Sequence, residues 1–480
     1  MKVTLLRPAA PMLFMLVMLI PCPALSQSPK EQVARLVEQR QDHFADVAHQ
    51  IWGFAELGYQ ETKSSALLQE QLRQAGFHVQ AGVAGLPTAF VAEYGSGKPV
   101  IAFMAEFDAL PGLSQQAVPE RKPVTEGAPG HGCGHNLLGT ASVDAALAVR
   151  DWLASSKTSG TIRVYGTPAE EGGSGKVYMA RAGLFDDADA VLAWHPGDAN
   201  DASPSTNLAL ISAKFRFHGI AAHAAAAPDK GRSALDAVEA MDAMVNLMRE
   251  HVPQETRIHY VITNGGGAPN VVPAFAEVYY YVRSPDVAVL RDVFDRVVKA
   301  SEGAALGTGT TVEHEILGGT FAMLPNDTLQ KLMYANLMTV GGVSYTTDEQ
   351  AFADSIRATI ERPRLRLGSQ TAVQPFKPGF TSASTDAGDV SWIVPLAHMT
   401  AATWVPGTSA HTWQATALDG MSIGAKGMEV AAKTLAMTAV DLFTDPSVLV
   451  SAHEELVQAR GPDFRYVPLL GDRKPALDYR

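Results

Sequence analysis

The 480-residue chain is 46% hydrophobic and 18% charged, with 41 Gly and 29 Pro. That is a globular composition, and it excludes disordered, collagen-like and small disulfide-stapled proteins. The 38 Lys+Arg against 50 Asp+Glu give a net charge of −12, so there is no electrostatic footprint for nucleic acid or an anionic membrane.

Met1–Ser26 carries Lys2 and Arg7, no acidic residue, and an apolar run Met12–Ile20 that ends at Pro21. The run is too short to span a bilayer, and Ala24-Leu25-Ser26 follows at the spacing a signal peptidase reads. Residues 1–26 are therefore expected to be a cleaved signal peptide, and the mature protein to be exported, periplasmic or secreted, with no membrane attachment. Pro21 disfavours a lipoprotein reading through Cys22. Once the signal leaves, Cys133 is the remaining cysteine, and a lone thiol forms no intrachain disulfide.

Helical spacing runs from Pro29 to about Phe54, and a second helix is expected from an N-cap at Thr62 to a stop at Gly76. Strand-like runs follow at Phe90–Glu93, Val100–Glu106, Thr161–Thr167, Ala190–Trp194 and Thr400–Val405, with a helix over Leu137–Leu153. Their alternation predicts an α/β layer with a mostly parallel central sheet and flanking helices. The middle of the chain reads differently. Strands at Phe215–His218, Ile258–Thr263, Phe275–Arg283 and Thr311–Ile316 interleave with helices capped at Ser233 and running over Val287–Ser301. That order predicts an inserted ferredoxin-like α+β domain. The expected division is a discontinuous domain over 27–210 and 322–450, an insert over 211–321, and an uninformative tail over 451–480. Gly265-Gly266-Gly267 has no helix start after it, so it reads as a hairpin loop, not a phosphate cradle.

Four expected strands run into residues that ligate metals: Asp108 and then Cys133 and His135 after the second, Glu170-Glu171 after the third, His195 after the fourth, His411 after the last. In open α/β sheets, ligands bind beyond the carboxyl ends of the strands, so residues far apart in sequence can converge there. Cys133, His135, Glu171, His195 and His411 offer thiolate, imidazole and carboxylate, a set suited to divalent transition metals. One glycine separates Cys133 from His135, so extended backbone can point both to one side. In Glu170-Glu171 neighbouring side chains diverge, leaving one carboxylate for metal and the other for substrate. A lone histidine is more often structural, and so His131, His218, His251, His259, His314 and His398 are set aside. Arg283, at a strand end, is either a clamp for a substrate carboxylate or a structural ion-pair partner.

The runs Glu106-Phe-Asp-Ala-Leu-Pro, Gly-His-Gly-Cys-Gly-His-Asn, Pro-Ala-Glu-Glu-Gly, Phe217-His-Gly-Ile-Ala-Ala-His-Ala, Asn270-Val-Val-Pro, Ser384-Thr-Asp-Ala-Gly-Asp-Val-Ser-Trp and His411-Thr-Trp-Gln resemble the aminoacylase/carboxypeptidase family of two-metal peptidases. The match is to its amidohydrolase branch, which hydrolyses conjugates such as p-aminobenzoyl-glutamate and indoleacetyl-amino acids. The resemblance covers nearly the whole mature chain and implies a two-zinc exopeptidase-like catalytic domain. It implies that Cys133, His135, Glu171, His195 and His411 hold two divalent ions, zinc or manganese. It further implies that Glu170 is the general base and that Asp108 orients a ligand. The insert would be a lid through which the chain forms a homodimer, with His223 and Asn270 reaching the partner's site. The implied substrate is a small N-acyl or aryl amide of an amino acid, with a dipeptide or simple N-acyl amino acid as the alternative. Relatives outside the branch carry His where this chain has Glu106. Two rivals to this reading remain: Cys133 as a nucleophile beside His135, and a non-enzymatic exported module that binds metal or peptide.

Overall fold

Residues 1, 3, 4 and 28–479 are described by the computed structural model, so the expected signal peptide lies almost wholly outside the described residues. The helical stretch expected to about Phe54 is two helices, Pro29–Glu38 and Gln41–Phe54. The break between them sets Arg40 against Asp144 and Asp151 of a neighbouring helix. Thr62 does not cap the next helix, Thr62–Gln74. The cap is the Glu56 carboxylate, which accepts from the backbone N–H groups of Lys63 and Ser64 and from the Thr62 hydroxyl.

The central sheet is built from β1 (His78–Ala81), β2 (Phe90–Ser96), β3 (Val100–Ala105), β4 (Gly160–Gly166) and β5 (Ala190–Gly197), joined much later in the chain by a strand at Leu396–Ala402. Every residue of β3 is buried, as a strand covered on both faces must be. Helix α1 (His135–Ser156) covers one of those faces. The spatial order is β1-β2-β4-β3-β5 and then Leu396–Ala402. Pairing is parallel from β4 to that last strand and antiparallel at the β1 and β2 edge.

Between the two parts lies a second sheet of four strands: β6 (Ala209–His218), β7 (Arg257–Asn264), β8 (Phe275–Ser284) and β9 (Thr311–Thr320). The order is β9-β6-β8-β7 and every pairing is antiparallel. Helices α2 (Ala234–Met248) and α3 (Val287–Thr308) pack on it around Phe215, Val278 and Tyr280. This is the ferredoxin-like pattern, and Gly265–Gly267 lies in the β7–β8 hairpin connection.

The strand Leu396–Ala402, here β10, begins before the Thr400–Val405 run expected to form it. His411 therefore sits in a loop beyond the strand, not at its end. The tail expected from 451 is helical through Arg460 and then irregular, with Leu469 and Leu470 buried. Among the described residues no single helix is long and apolar enough to cross a membrane.

Candidate metal centre

Three strand ends and one helix start meet at the carboxyl edge of the central sheet. β3 delivers Glu106 and Asp108, β4 the turn holding Glu170 and Glu171, β5 His195, and α1 opens on His135, one glycine after Cys133. Gly134 has φ +73°, and a Cβ there would lie 2.7 Å from the Pro196 ring, so the approach of α1 to β5 requires glycine.

The five donor residues converge. Donor atoms of Cys133, His135 and His195 lie within 4.8 Å of one another, as do those of Cys133, Glu171 and His411, and those of His135, Glu170 and Glu171. Cys133 Sγ is 3.5 Å from His195 Nε2, and Glu171 Oε1 is 3.1 Å from His411 Nε2. The His195 Nδ1–H donates to the Pro196 carbonyl at 2.7 Å, which leaves Nε2 as the lone-pair nitrogen facing the sulfur. His135 Nδ1–H donates to Asp108 Oδ1 at 2.8 Å, and the other oxygen of Asp108 accepts the Glu171 N–H at 2.9 Å. A single buried carboxylate thus orients one imidazole and one acidic loop together.

His135 Nε2 and Glu106 Oε2 are buried 3.1 Å apart, and neither has a hydrogen-bond partner among the described residues. Orphaned buried donors and acceptors of this kind are costly. With the sulfur and imidazoles around them, they fit a divalent cation whose charge and coordination would satisfy them. The electrostatics agree. Burial opposes the charging of His135, yet Asp108, the Cys133 thiol and Glu106 together push its pKa well up. Burial and the Glu171 and Glu106 carboxylates push Glu170 well up, while His411 and His135 outweigh burial and hold Glu171 down. Burial and Glu171 push the Cys133 thiol up, the reverse of what an activated cysteine nucleophile needs.

The other expected residues are placed as follows. Arg283 is half-buried and outside the cavity lining, donates from Nη1 to Ser384 Oγ at 3.1 Å, and has a buried Nε without a hydrogen-bond partner among the described residues. His223 and Asn270 are on the insert, away from the cavity lining; His223 Nδ1 accepts the N–H groups of Ala225 and Ala226, which places its proton on Nε2. His131 bonds the Ile51 carbonyl and burial lowers its pKa to about 3.

Two features escaped the sequence reading. Lys176 is fully buried, and its Nζ lies 2.6 Å from both Glu106 Oε1 and Asp386 Oδ1. His398, set aside as structural, lines the cavity, and burial lowers its pKa to about 4. That cavity has a volume of about 770 Å³ and opens beside the donor cluster between Glu170 and Ser384, with Leu138, Trp194, Met323 and Phe380 among its apolar walls.

The model of peptidase family M20/M25/M40 matches residues 102–437. The chain is 43% identical over 460 residues to one subunit of the p-aminobenzoyl-glutamate hydrolase of Escherichia coli (strain K12), covering 90% of this chain and 96% of that protein. It is 31% identical over 442 residues to the Xaa-Arg dipeptidase of Mus musculus, covering 89% and 91%. Among solved structures, the fold is similar to an aminobenzoyl-glutamate utilization protein from Klebsiella pneumoniae, with TM-score 0.60 and 19% identity, over 85% of this chain and 98% of that one. It is also similar to a dinuclear metal binding peptidase of the M20 family from Bacillus subtilis, with TM-score 0.58 and 17% identity, over 85% and 99%.

Proposed function

The chain belongs to peptidase family M20/M25/M40 and is a metallohydrolase of amide or peptide bonds; on that premise we propose that it cleaves the amide of an aryl-acyl amino acid such as p-aminobenzoyl-glutamate. The observation that carries this is a pair of adjacent carboxylates beside the cavity that are held by different partners. Both line the cavity, but Glu171 is drawn to His411 and pinned through its N–H by Asp108, which leaves Glu170 for the attacking water.

Cys133, His135, Glu171, His195 and His411 would hold two divalent ions, zinc or manganese. When bound, the ions lower the pKa of water from about 15.7 to about 7 and polarise the scissile carbonyl. Glu170 takes the proton of the attacking water and returns it to the leaving amine. The apolar wall suits an aromatic acyl group. Arg283 does not line the cavity, but it donates to Ser384, which does, so it would act on the free carboxylate of the amino-acid half through that hydroxyl. Hydrolysis of a panel by the purified, metal-loaded protein tests this reading. p-Aminobenzoyl-glutamate should be turned over with higher kcat/KM than dipeptides or alkyl-acyl amino acids. A preference for dipeptides would give the dipeptidase reading instead.

His223 presents an Nε2–H donor suited to the oxyanion, but on an exposed loop of the insert. We assign it, with Asn270, to the site of a second copy. The exposed edge strand β7, with Val261 and Ile262 on its surface, offers the pairing surface for a homodimer. Mixing inactive His223→Ala and Glu170→Gln chains should then restore activity, because one site of each hybrid dimer is whole. Absence of restoration in mixed dimers would remove His223 from the partner's site. Export is read from Met1–Ser26 alone, and a native protein that retains Met1 would refute it.

A further inference from the structure

We propose that residues 461–479 form a strap that holds the catalytic turn in place, with Tyr479 as its positioning residue. The inference rests on the assignment of Glu170 as base and Glu171 as ligand.

The turn that presents these carboxylates is not self-supporting. Ala169, Gly172 and Ser174 all have positive φ, at 56°, 92° and 60°. Two of the three are not glycine, and such conformations persist when surrounding structure over-determines them. Four hydrogen bonds from outside the turn do this. Glu61 Oε1 accepts the Ala169 N–H at 2.8 Å, and Asp108 Oδ2 accepts the Glu171 N–H at 2.9 Å. The Tyr59 hydroxyl donates to the Gly173 carbonyl at 2.7 Å. The fourth is the Tyr479 hydroxyl, which donates to the Glu171 carbonyl at 3.1 Å from 308 positions along the chain.

Tyr479 sits in a slot shaped for it. Its ring packs edge-on against Tyr59 with centroids 5.6 Å apart. A Cβ at Gly58 would come within 2.3 Å of its hydroxyl oxygen. The strap reaches this slot from the insert. Arg291 of α3 donates to the Val467 carbonyl, and Arg473 donates to the Leu317 carbonyl of β9. Arg181, on the helix that follows the turn, then donates to the carbonyls of Gly471 and Arg473. The same nineteen-residue segment therefore ties the insert, the helix after the turn and the backbone of Glu171 into one connected path.

Tyr479→Phe keeps the ring and removes only the hydroxyl. In the full chain loaded with zinc, kcat on the best panel substrate should fall about tenfold with KM held within about twofold, because a misplaced base costs transition-state interactions alone. The affinity for zinc, measured on the metal-free chain by competition with a chelator, should weaken about tenfold, the effect of losing a hydrogen bond that orients a ligand. The urea midpoint of the metal-free chain should not move. Unchanged kcat and zinc affinity would overturn the proposal. So would losses matched by a lower urea midpoint, since the segment would then be a brace for the fold alone. Normal turnover by Glu170→Gln would strike the assignment of the base, while the zinc affinity of Tyr479→Phe still reports on the strap.

Discussion

Replacing Glu170 with glutamine is expected to lower kcat by about 10²–10⁴ while metal content and KM stay near those of the unaltered chain. The substitution keeps shape and one oxygen but removes the group that accepts the proton. Glu171, drawn to His411 and tied through its N–H to Asp108, does not depend on its neighbour for position. Steady-state kinetics with elemental analysis of the same sample checks this. A kcat within about threefold of the parent would remove Glu170 from the base role, since general-base losses are far larger.

Replacing Lys176 with methionine should produce the largest loss of stability, about 3–5 kcal/mol in the metal-free protein. Lys176 is the buried cation between Glu106 and Asp386, with both contacts at 2.6 Å. Burial works against its charge, yet Asp386 and Glu106 together raise its pKa. Removing the ammonium takes the shared cation from two buried carboxylates and leaves only His135 beside Glu106 and a backbone N–H on Asp386, which costs more than the net contribution of the intact ion pairs. A dication bound nearby would offset part of the deficit, so the loss should shrink when the protein is metal-loaded. Urea denaturation with and without zinc measures both quantities. An unshifted midpoint without metal would show that the triad is not holding its charges in place.

The residues that gather at the candidate metal centre were legible in the sequence because most lie in a short motif coupled to a local element. Cys133 precedes a helix that His135 opens, Glu170-Glu171 follows β4, and His195 is in the last residues of β5. Local periodicity also sufficed for the insert, whose strands and helices alternate in an order that folds as read. Reading failed where a partner at a distance overrode the local signal. Thr62 has the chemistry of a cap, but Glu56 reached the free N–H groups first. The apolar run expected as Thr400–Val405 was displaced because pairing with β5 sets the register from Leu396.

What the sequence by itself determined was the family's motifs, the residues that gather at the candidate metal centre, and the two-sheet plan, all carried by spacings of a few residues. Tertiary structure alone decided which charges neutralise Glu106, that His398 lines the cavity, and that Tyr479 reaches the backbone of Glu171. Lys176 and Asp386 are 210 positions apart, and Tyr479 and Glu171 are 308. Contacts of that span follow from how sheet, insert and tail pack together, and packing leaves no periodic trace along the chain.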